Sequence, residues 1–225
     1  MTIDTSGTRR LYDDAVRDAD DPRERILDAT IACFGRYGIG KTTVEDAARE
    51  AGVSRATMYR YFPGGRDELI SETMTIEVQR FFVRLAAAVQ DVSDFATRLE
   101  RGLMFAHRAV EDHALLQKVL ETEPERLLPH LTRSAPMVLA VLREYLRVLL
   151  ADEPLSPGMT PDRAADWLAR MTLSFIIAQG RWDLTDPADV RRLVRTQLLA
   201  GVLARPEAAR EPVEVAGETR QSSTG

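Results

Sequence analysis

Residues 42–63 read TTVEDAAREAGVSRATMYRYFP, and the fold turns on how this stretch is parsed. Thr42 with Glu45 three residues later predicts a capping box that opens a short helix, and Ala51-Gly52 predicts its end. Val53 follows, and Ser54 is placed to cap a further helix carried by Ala56, Met58, Tyr59 and Phe62 and stopped by Pro63. Two short helices joined by a three-residue turn centred on Gly52 form a helix-turn-helix. The residues meet its physical demands. Gly52 can take positive φ, Ala47 and Ala48 permit close crossing, and Val44, Val53 and Met58 lock the angle. The exposed face of the second helix then presents Arg55, Thr57, Tyr59 and Arg60, which suit phosphates and base edges on a helix slim enough for the major groove of double-stranded DNA.

Working outward, strand signals are almost absent and apolar residues recur at spacings of three and four, so the chain reads as all-α with about nine helices. Asp21-Pro22 opens the first helix, through Ile26, Leu27, Thr30, Ile31, Phe34 and Tyr37 to a stop at Gly38. With the helix-turn-helix it makes an N-terminal three-helix DNA-binding domain over residues 21–66. A long fourth helix starts near Arg66 or Asp67 and runs to about Val89. Further helices are predicted over 94–111, 114–121, 134–151, 161–182 and 187–204, forming a C-terminal helical domain over 67–205. Residues 1–20 read as a disordered acidic arm and residues 206–225 as a disordered tail.

Composition narrows the function classes. The 225 residues carry a net charge of -5, which excludes a uniformly basic nucleic-acid coat, yet residues 22–66 alone hold eight Lys+Arg against five Asp+Glu. Any nucleic-acid contact must therefore come from a local patch, and this asymmetry is the one expected if only that module meets phosphate. One cysteine, Cys33, cannot build a disulfide framework or a thiolate metal site. No segment is long and apolar enough for a membrane helix or shaped like a signal peptide, so a cytoplasmic protein without membrane contact is expected. Only Lys41 and Lys118 are lysines among 30 basic residues, a bias expected of a GC-rich, bacterial genome.

The stretch from Ile26 to Leu69 resembles the DNA-binding domain of the TetR family of transcriptional regulators. The resemblance rests on Ala29, Phe34, Gly38, Thr42-Thr43-Val44, Ala47, Thr57 and Tyr61-Phe62-Pro63, and above all on the unbroken run AGVSRATMYRYF. It departs at Pro63-Gly64-Gly65-Arg66, one residue longer than the Phe-Pro-Ser-Lys usual in the family, and it puts Arg66 in the place of a phosphate-binding lysine. It implies that Thr42 and Thr43 cap the second helix against the DNA backbone. It also makes Ser54, Arg55, Ala56, Thr57, Tyr59 and Arg60 the recognition surface. By chemistry, Arg55 and Tyr59 belong nearest the bases, Thr57, Arg60 and Tyr61 on phosphates, and Lys41 on the backbone nonspecifically. A competing reading makes Tyr59 and Tyr61 packing residues that close the third helix on the first and fourth.

One helix-turn-helix reads only a few base pairs, so a homodimer on two half-sites of an operator is expected. The wide apolar arcs of helices 161–182 (Ala164, Leu168, Met171, Phe175, Ala178) and 187–204 (Val190, Leu193, Val194, Leu198) nominate them as its interface, and the resemblance implies a four-helix bundle with the symmetry mates. It also implies a small-effector cavity between the DNA module and this bundle. Apolar and soft candidates there are Phe82, Leu85, Leu103, Met104, Val110, Leu116, Trp167 and Phe175, with His107 as a polar anchor for a small hydrophobic effector. Each of these also fits ordinary core. The implied function is a ligand-responsive repressor released from a palindromic operator, and the rival reading is a helical adaptor that binds protein, or a family member without operator binding. No enzyme, cofactor or metal is expected. The residues three before His107, His113 and His130 are Met104, Val110 and Leu127, not glutamates, and no phosphate loop, GxSxG or HExxH occurs.

Overall fold

The computed structural model describes residues 21–122 and 124–204; the predicted arm at 1–20 and tail at 206–225 lie outside the described residues. Nine α-helices occupy them: α1 (Pro22–Tyr37), α2 (Val44–Glu50), α3 (Arg55–Tyr61), α4 (Gly65–Val89), α5 (Phe95–Glu111), α6 (Ala114–Thr122), α7 (Pro124–Leu149), α8 (Pro161–Ile177) and α9 (Pro187–Leu193). A π-helical turn, Val194–Leu198, extends α9. The all-α class follows from the caps. Asp21, Ser54, Asp94, Thr160 and Asp186 each turn a side-chain oxygen onto a backbone N–H in the first turn of their helices, and Pro22, Pro161 and Pro187 stand at first positions where no N–H is needed.

Three expected boundaries move. The capping box opens one residue later than predicted, because Thr43 and Asp46 exchange the paired hydrogen bonds while Thr42 is buried and donates its hydroxyl to Gly38 O (2.8 Å). α7 begins at Pro124, ten residues before the predicted 134, and runs through Pro129 and Pro136, so the prolines interrupt hydrogen bonds without ending the helix. α8 stops at Ile177 instead of 182, since Ala178 leaves helical geometry and Gly180 adopts φ +65°. The last helix likewise widens into the π turn, where Leu199 N–H reaches Val194 O (2.9 Å), and the chain then pairs back on the 151–160 loop through Ser156 N–H to Val202 O (2.9 Å) and Ala204 N–H to Pro154 O (2.7 Å).

The core has three parts. Ile26, Leu27, Ala47, Met58, Phe62 and Leu69 close the N-terminal module. Leu103, Leu146, Leu150, Leu168, Leu193 and Leu198 anchor the body. Between them Phe34, Ile39, Ile70 and Val119 form a seam that seats α6 on α1 and α4, reinforced by Lys118 Nζ donating to Gly35 O (2.9 Å). α4 belongs to both domains. Its Leu69 and Ile76 pack in the module, and its Leu85 is buried 16 residues after Leu69 among the helices of the body, so one helix runs without a break from the first into the second.

Candidate functional site

The angle between α2 and α3 is set by backbone geometry. Gly52 sits at φ +66°, Gly52 N–H donates to Arg49 O (3.2 Å) and Val53 N–H to Ala48 O (3.0 Å), a pairing that satisfies the last carbonyls of α2 and reverses the chain. Ser54 then caps α3 by accepting from Thr57 N–H (3.1 Å). Met58 and Phe62 are buried at 0% and 1% exposure, and they fix the rotation of α3 about its axis. That rotation turns Arg55, Ala56, Tyr59 and Arg60 outward with Ser54, and leaves Thr57 and Tyr61 half-buried. Tyr59 is 39% exposed with the Arg55 guanidinium 5.5 Å from its ring centre, and Arg60 lies 5.0 Å from the ring of Tyr61. Tyr59 thus stands outside the core, whereas the half-buried Tyr61 packs against its edge.

Two features of this face were not foreseen. Arg55 pairs with Glu45 of α2 (3.3 Å) in an exposed contact, so its charge is partly held until a stronger anion arrives. Thr43, exposed at the start of α2, both accepts from Asp46 N–H (3.1 Å) and donates to its carboxylate (2.6 Å), which holds the Asp46 carboxyl below the ordinary range. Lys41 is exposed beside it. Two expected contacts are placed elsewhere: Thr42 is 3% exposed and turned inward. Arg66 is half-buried, and its guanidinium donates to the carbonyls of Thr42 (2.9 Å), Ile39 and Gly40 (3.5 Å), so it clasps the loop between α1 and α2 from the start of α4. The positive φ of Gly65, +67°, admits the extra residue in the preceding turn.

The predicted effector residues scatter. Leu85 and Leu103 line a cavity of about 40 Å³ between α4, α5, α7 and α8. Phe82, Met104 and Phe175 pack against the main core instead. Leu116 belongs to the seam with the DNA module, because α6 turns that side toward Phe34. Val110 is half-buried and gives its carbonyl to Gln117 Nε2 (2.7 Å). Trp167 is 43% exposed, donating to Leu198 O (3.2 Å), on the outer side of α8. His107 is buried, but its ring nitrogens face Gln179 Nε2 (3.3 Å) and the Glu111 carboxylate (3.9 Å), so it does not anchor the cavity. Arg98, Tyr145 and Thr172 also border the cavity, but its wall is almost wholly apolar. The residues nominated for a dimer interface divide: Met171 and Phe175 are half-buried and Ala178 is exposed, whereas the rest lie inward. Ala164, Leu168, Val190, Leu193, Val194 and Leu198 are all 0% exposed within one chain. What α8 offers outward is a strip with Trp167 and Ile177, the latter 85% exposed. Among the described residues no three His, Cys, Asp or Glu side chains gather as metal ligands, and no helix is long and apolar enough to cross a membrane.

Comparison with known proteins agrees with this geometry. The family of bacterial regulatory proteins described as the tetR family matches residues 26–73, which span from α1 through the helix-turn-helix into α4. An uncharacterized HTH-type transcriptional regulator of Mycobacterium tuberculosis (strain CDC 1551 / Oshkosh), MT2310, is 43% identical over 76% of this chain and 86% of its own length. A second from the same organism, MT1294, is 28% identical over 84% of this chain and 89% of its own. Among solved structures, SmeT, the repressor of the Stenotrophomonas maltophilia multidrug efflux pump SmeDEF, superposes with a TM-score of 0.53 at 21% identity, covering 84% of this chain and 93% of SmeT. The fatty acid degradation regulator FadR of Bacillus halodurans gives 0.53 at 17%, covering 79% and 96%. At such identities the likeness concerns the fold.

Proposed function

The chain belongs to the TetR family of bacterial regulatory proteins, and from that premise we propose that it is a homodimeric repressor that holds a palindromic operator and lets go when a small hydrophobic effector binds. The observation that carries the reading is the outward face of α3, where a rigid, capped helix presents Arg55, Tyr59 and Arg60 with no core role for their polar ends. Arg55 exchanges Glu45 for a base edge, and Tyr59 lies beside it on the bases. Thr57, Arg60 and Tyr61, with Thr43 and Lys41 at the start of α2, meet phosphates, while Ser54 and Ala56 let the duplex approach closely. The buried Thr42 and the clasped Arg66 are left out of this set.

Two recognition helices are needed, and the outer strip of α8 with Trp167 and Ile177 supports pairing through α8 and α9 with a second copy. Operator half-sites about 34 to 36 Å apart would then be read together. The effector reading draws on α4, which joins the module core to the cavity wall over a length of roughly 37 Å. SmeT has been solved in complex with triclosan, and its fold is shared here. Binding in the body that tilts α4 moves the two modules apart, and by reciprocity operator DNA weakens the effector by the same factor.

The test is binding of the purified chain to fragmented genomic DNA followed by sequencing, with an Arg55→Ala, Tyr59→Ala double variant alongside. One palindrome enriched by the unaltered chain and lost in the variant is expected. Enrichment of nothing at low salt by chain freed of any bound small molecule would retire the repressor reading in favour of a protein-binding adaptor.

A further inference from the structure

We infer that Glu45 of α2 is a specificity-determining residue: together with Arg55 it reads a single G·C base pair, Arg55 taking the guanine and Glu45 the cytosine. The inference deepens the operator reading above and rests on it. Two observations on the outward side of the helix-turn-helix carry it.

The first is how the carboxylates of α2 are used. Glu45 stands three residues after Thr42, where a capping box was expected to hold it, but the box forms between Thr43 and Asp46 and leaves Glu45 out. Asp46 is engaged by Thr43 and Arg49, and Glu50 by Arg36 of α1 (2.8 Å). Glu45 turns instead to the recognition helix, exposed, with its Oε1 3.3 Å from Arg55 Nη2. An exposed pair of this kind stabilises a fold little, and a carboxylate on a surface that meets phosphates lowers affinity for every duplex. Its place there brings a gain only where it meets a hydrogen-bond donor of the DNA.

The second is the spacing of the two charges. A G·C pair offers the major groove two acceptors, guanine N7 and O6, and then one donor, the cytosine N4 amino group; no other base pair presents that order. Guanine O6 and cytosine N4 are hydrogen-bonded to each other and so stand about 2.9 Å apart. Arg55 Nη2 and Glu45 Oε1, at 3.3 Å, match that interval. The Tyr59 ring, 5.5 Å from the guanidinium, flanks Arg55 on its own helix. Once the guanidinium turns to O6 and N7, the carboxylate beside it accepts from N4. A reversed C·G pair sets the donor against Arg55 and an acceptor against Glu45, and thymine in place of the cytosine sets its O4 against the carboxylate. Phosphates offer acceptors alone, so Glu45 also holds Arg55 back from nonspecific binding.

The test is selection from a random-sequence duplex library by the full chain, freed of any bound small molecule, and by Glu45→Ala, Glu45→Gln and Arg55→Ala. The unaltered chain should return a palindrome in which one G·C pair of each half-site is lost in Arg55→Ala and in Glu45→Ala alike. In direct titrations, preference for G·C over C·G at that pair should fall at least tenfold in Glu45→Ala, the scale of one base-edge contact. Glu45→Gln keeps an acceptor for N4 and should hold most of that preference, while both Glu45 variants bind duplexes outside the motif more tightly at low salt. The unfolding midpoint should stay that of the unaltered chain, because the pair is exposed. The inference is overturned if Glu45→Ala returns the same palindrome, or if it gains affinity for all duplexes equally with its base preferences intact. A palindrome that needs Arg55 but not Glu45 removes this inference and keeps the operator reading. No palindrome from the unaltered chain at low salt removes both.

Discussion

Among single residues, Arg66 shows how the groups around a side chain bear on its role. An arginine just past the third helix of such a domain invites assignment to phosphate, but here its donors are engaged by the carbonyls of Thr42, Ile39 and Gly40. With Nε and Nη2 on these carbonyls, the guanidinium holds the loop ahead of α2, and its effect on DNA binding is expected to run through that loop. Arg66→Ala is therefore expected to lower the stability of the chain by about 1.5 to 3 kcal/mol, the range for hydrogen bonds from a charged group. It should weaken binding to all DNA sequences alike and leave the salt dependence of binding unchanged, as read from affinities across a salt series. A slope reduced by about one would mean that Arg66 does neutralise a phosphate. Arg55 presents the opposite case: its exposed pairing with Glu45 is weak, and its position on α3 was legible because Met58 and Phe62 mark which side of the helix is buried.

Between elements, α1, α4 and α6 are tied by a charged cluster that no local pattern announced. Arg80 on α4 reaches Asp28 on α1 (2.6 Å) and Glu77 (3.2 Å), with Glu24 at 3.8 Å, and Glu77 in turn faces the His113 ring (3.8 Å) at the start of α6. His113 Nδ1 also accepts from Leu116 N–H (3.1 Å), capping α6. The His113 ring beside it, with help from Arg80, holds the Glu77 carboxyl below its ordinary value of 4.5. A carboxylate depressed in the folded state stabilises it above the unfolded pKa, and that contribution is lost as pH falls from about 4.5 through the folded value. Glu77→Gln is expected to cost about 1 kcal/mol near neutral pH and to flatten the acid limb of the stability curve, as followed by urea unfolding at a series of pH values. A parallel acid limb in the variant would remove Glu77 from the coupling between α4 and α6.

Across the whole molecule, most of the apolar faces of the last two helices is buried inside one chain, and α8 turns outward a strip around Trp167 and Ile177 on which a second copy is expected to pair. Ile177→Asp is expected to shift the chain from dimer to monomer in sedimentation velocity at micromolar concentration and to reduce operator affinity at least tenfold, because each module alone reads too few base pairs. Its fold should persist, since an 85% exposed side chain contributes little to a monomer's core. A variant that remains dimeric would place the interface elsewhere. The same continuity that fills the core gives α4 its reach, with Leu69 in the module and Leu85 at the cavity, so strain introduced at one end need not pass through a flexible linker to be felt at the other.

The signals legible along the chain are local ones. Caps such as Asp21, Ser54 and Asp94, first-position prolines and the glycine at Gly52 act within a few residues of chain, so the helix-turn-helix, its outward residues and most helix starts could be read directly. What only the tertiary structure decided depends on which faces meet. An apolar arc on a helix announces burial without saying whether its partner is the same chain or another, which is why Leu168 and Val194 proved to be core. An apolar side chain in the body likewise gives no sign of whether it fills space or borders it, and so the cavity took Leu85 and Leu103 but left His107 and Trp167 aside. Arg66 and Arg80 find their partners tens of residues away, and periodicity along one helix carries no information about such partners.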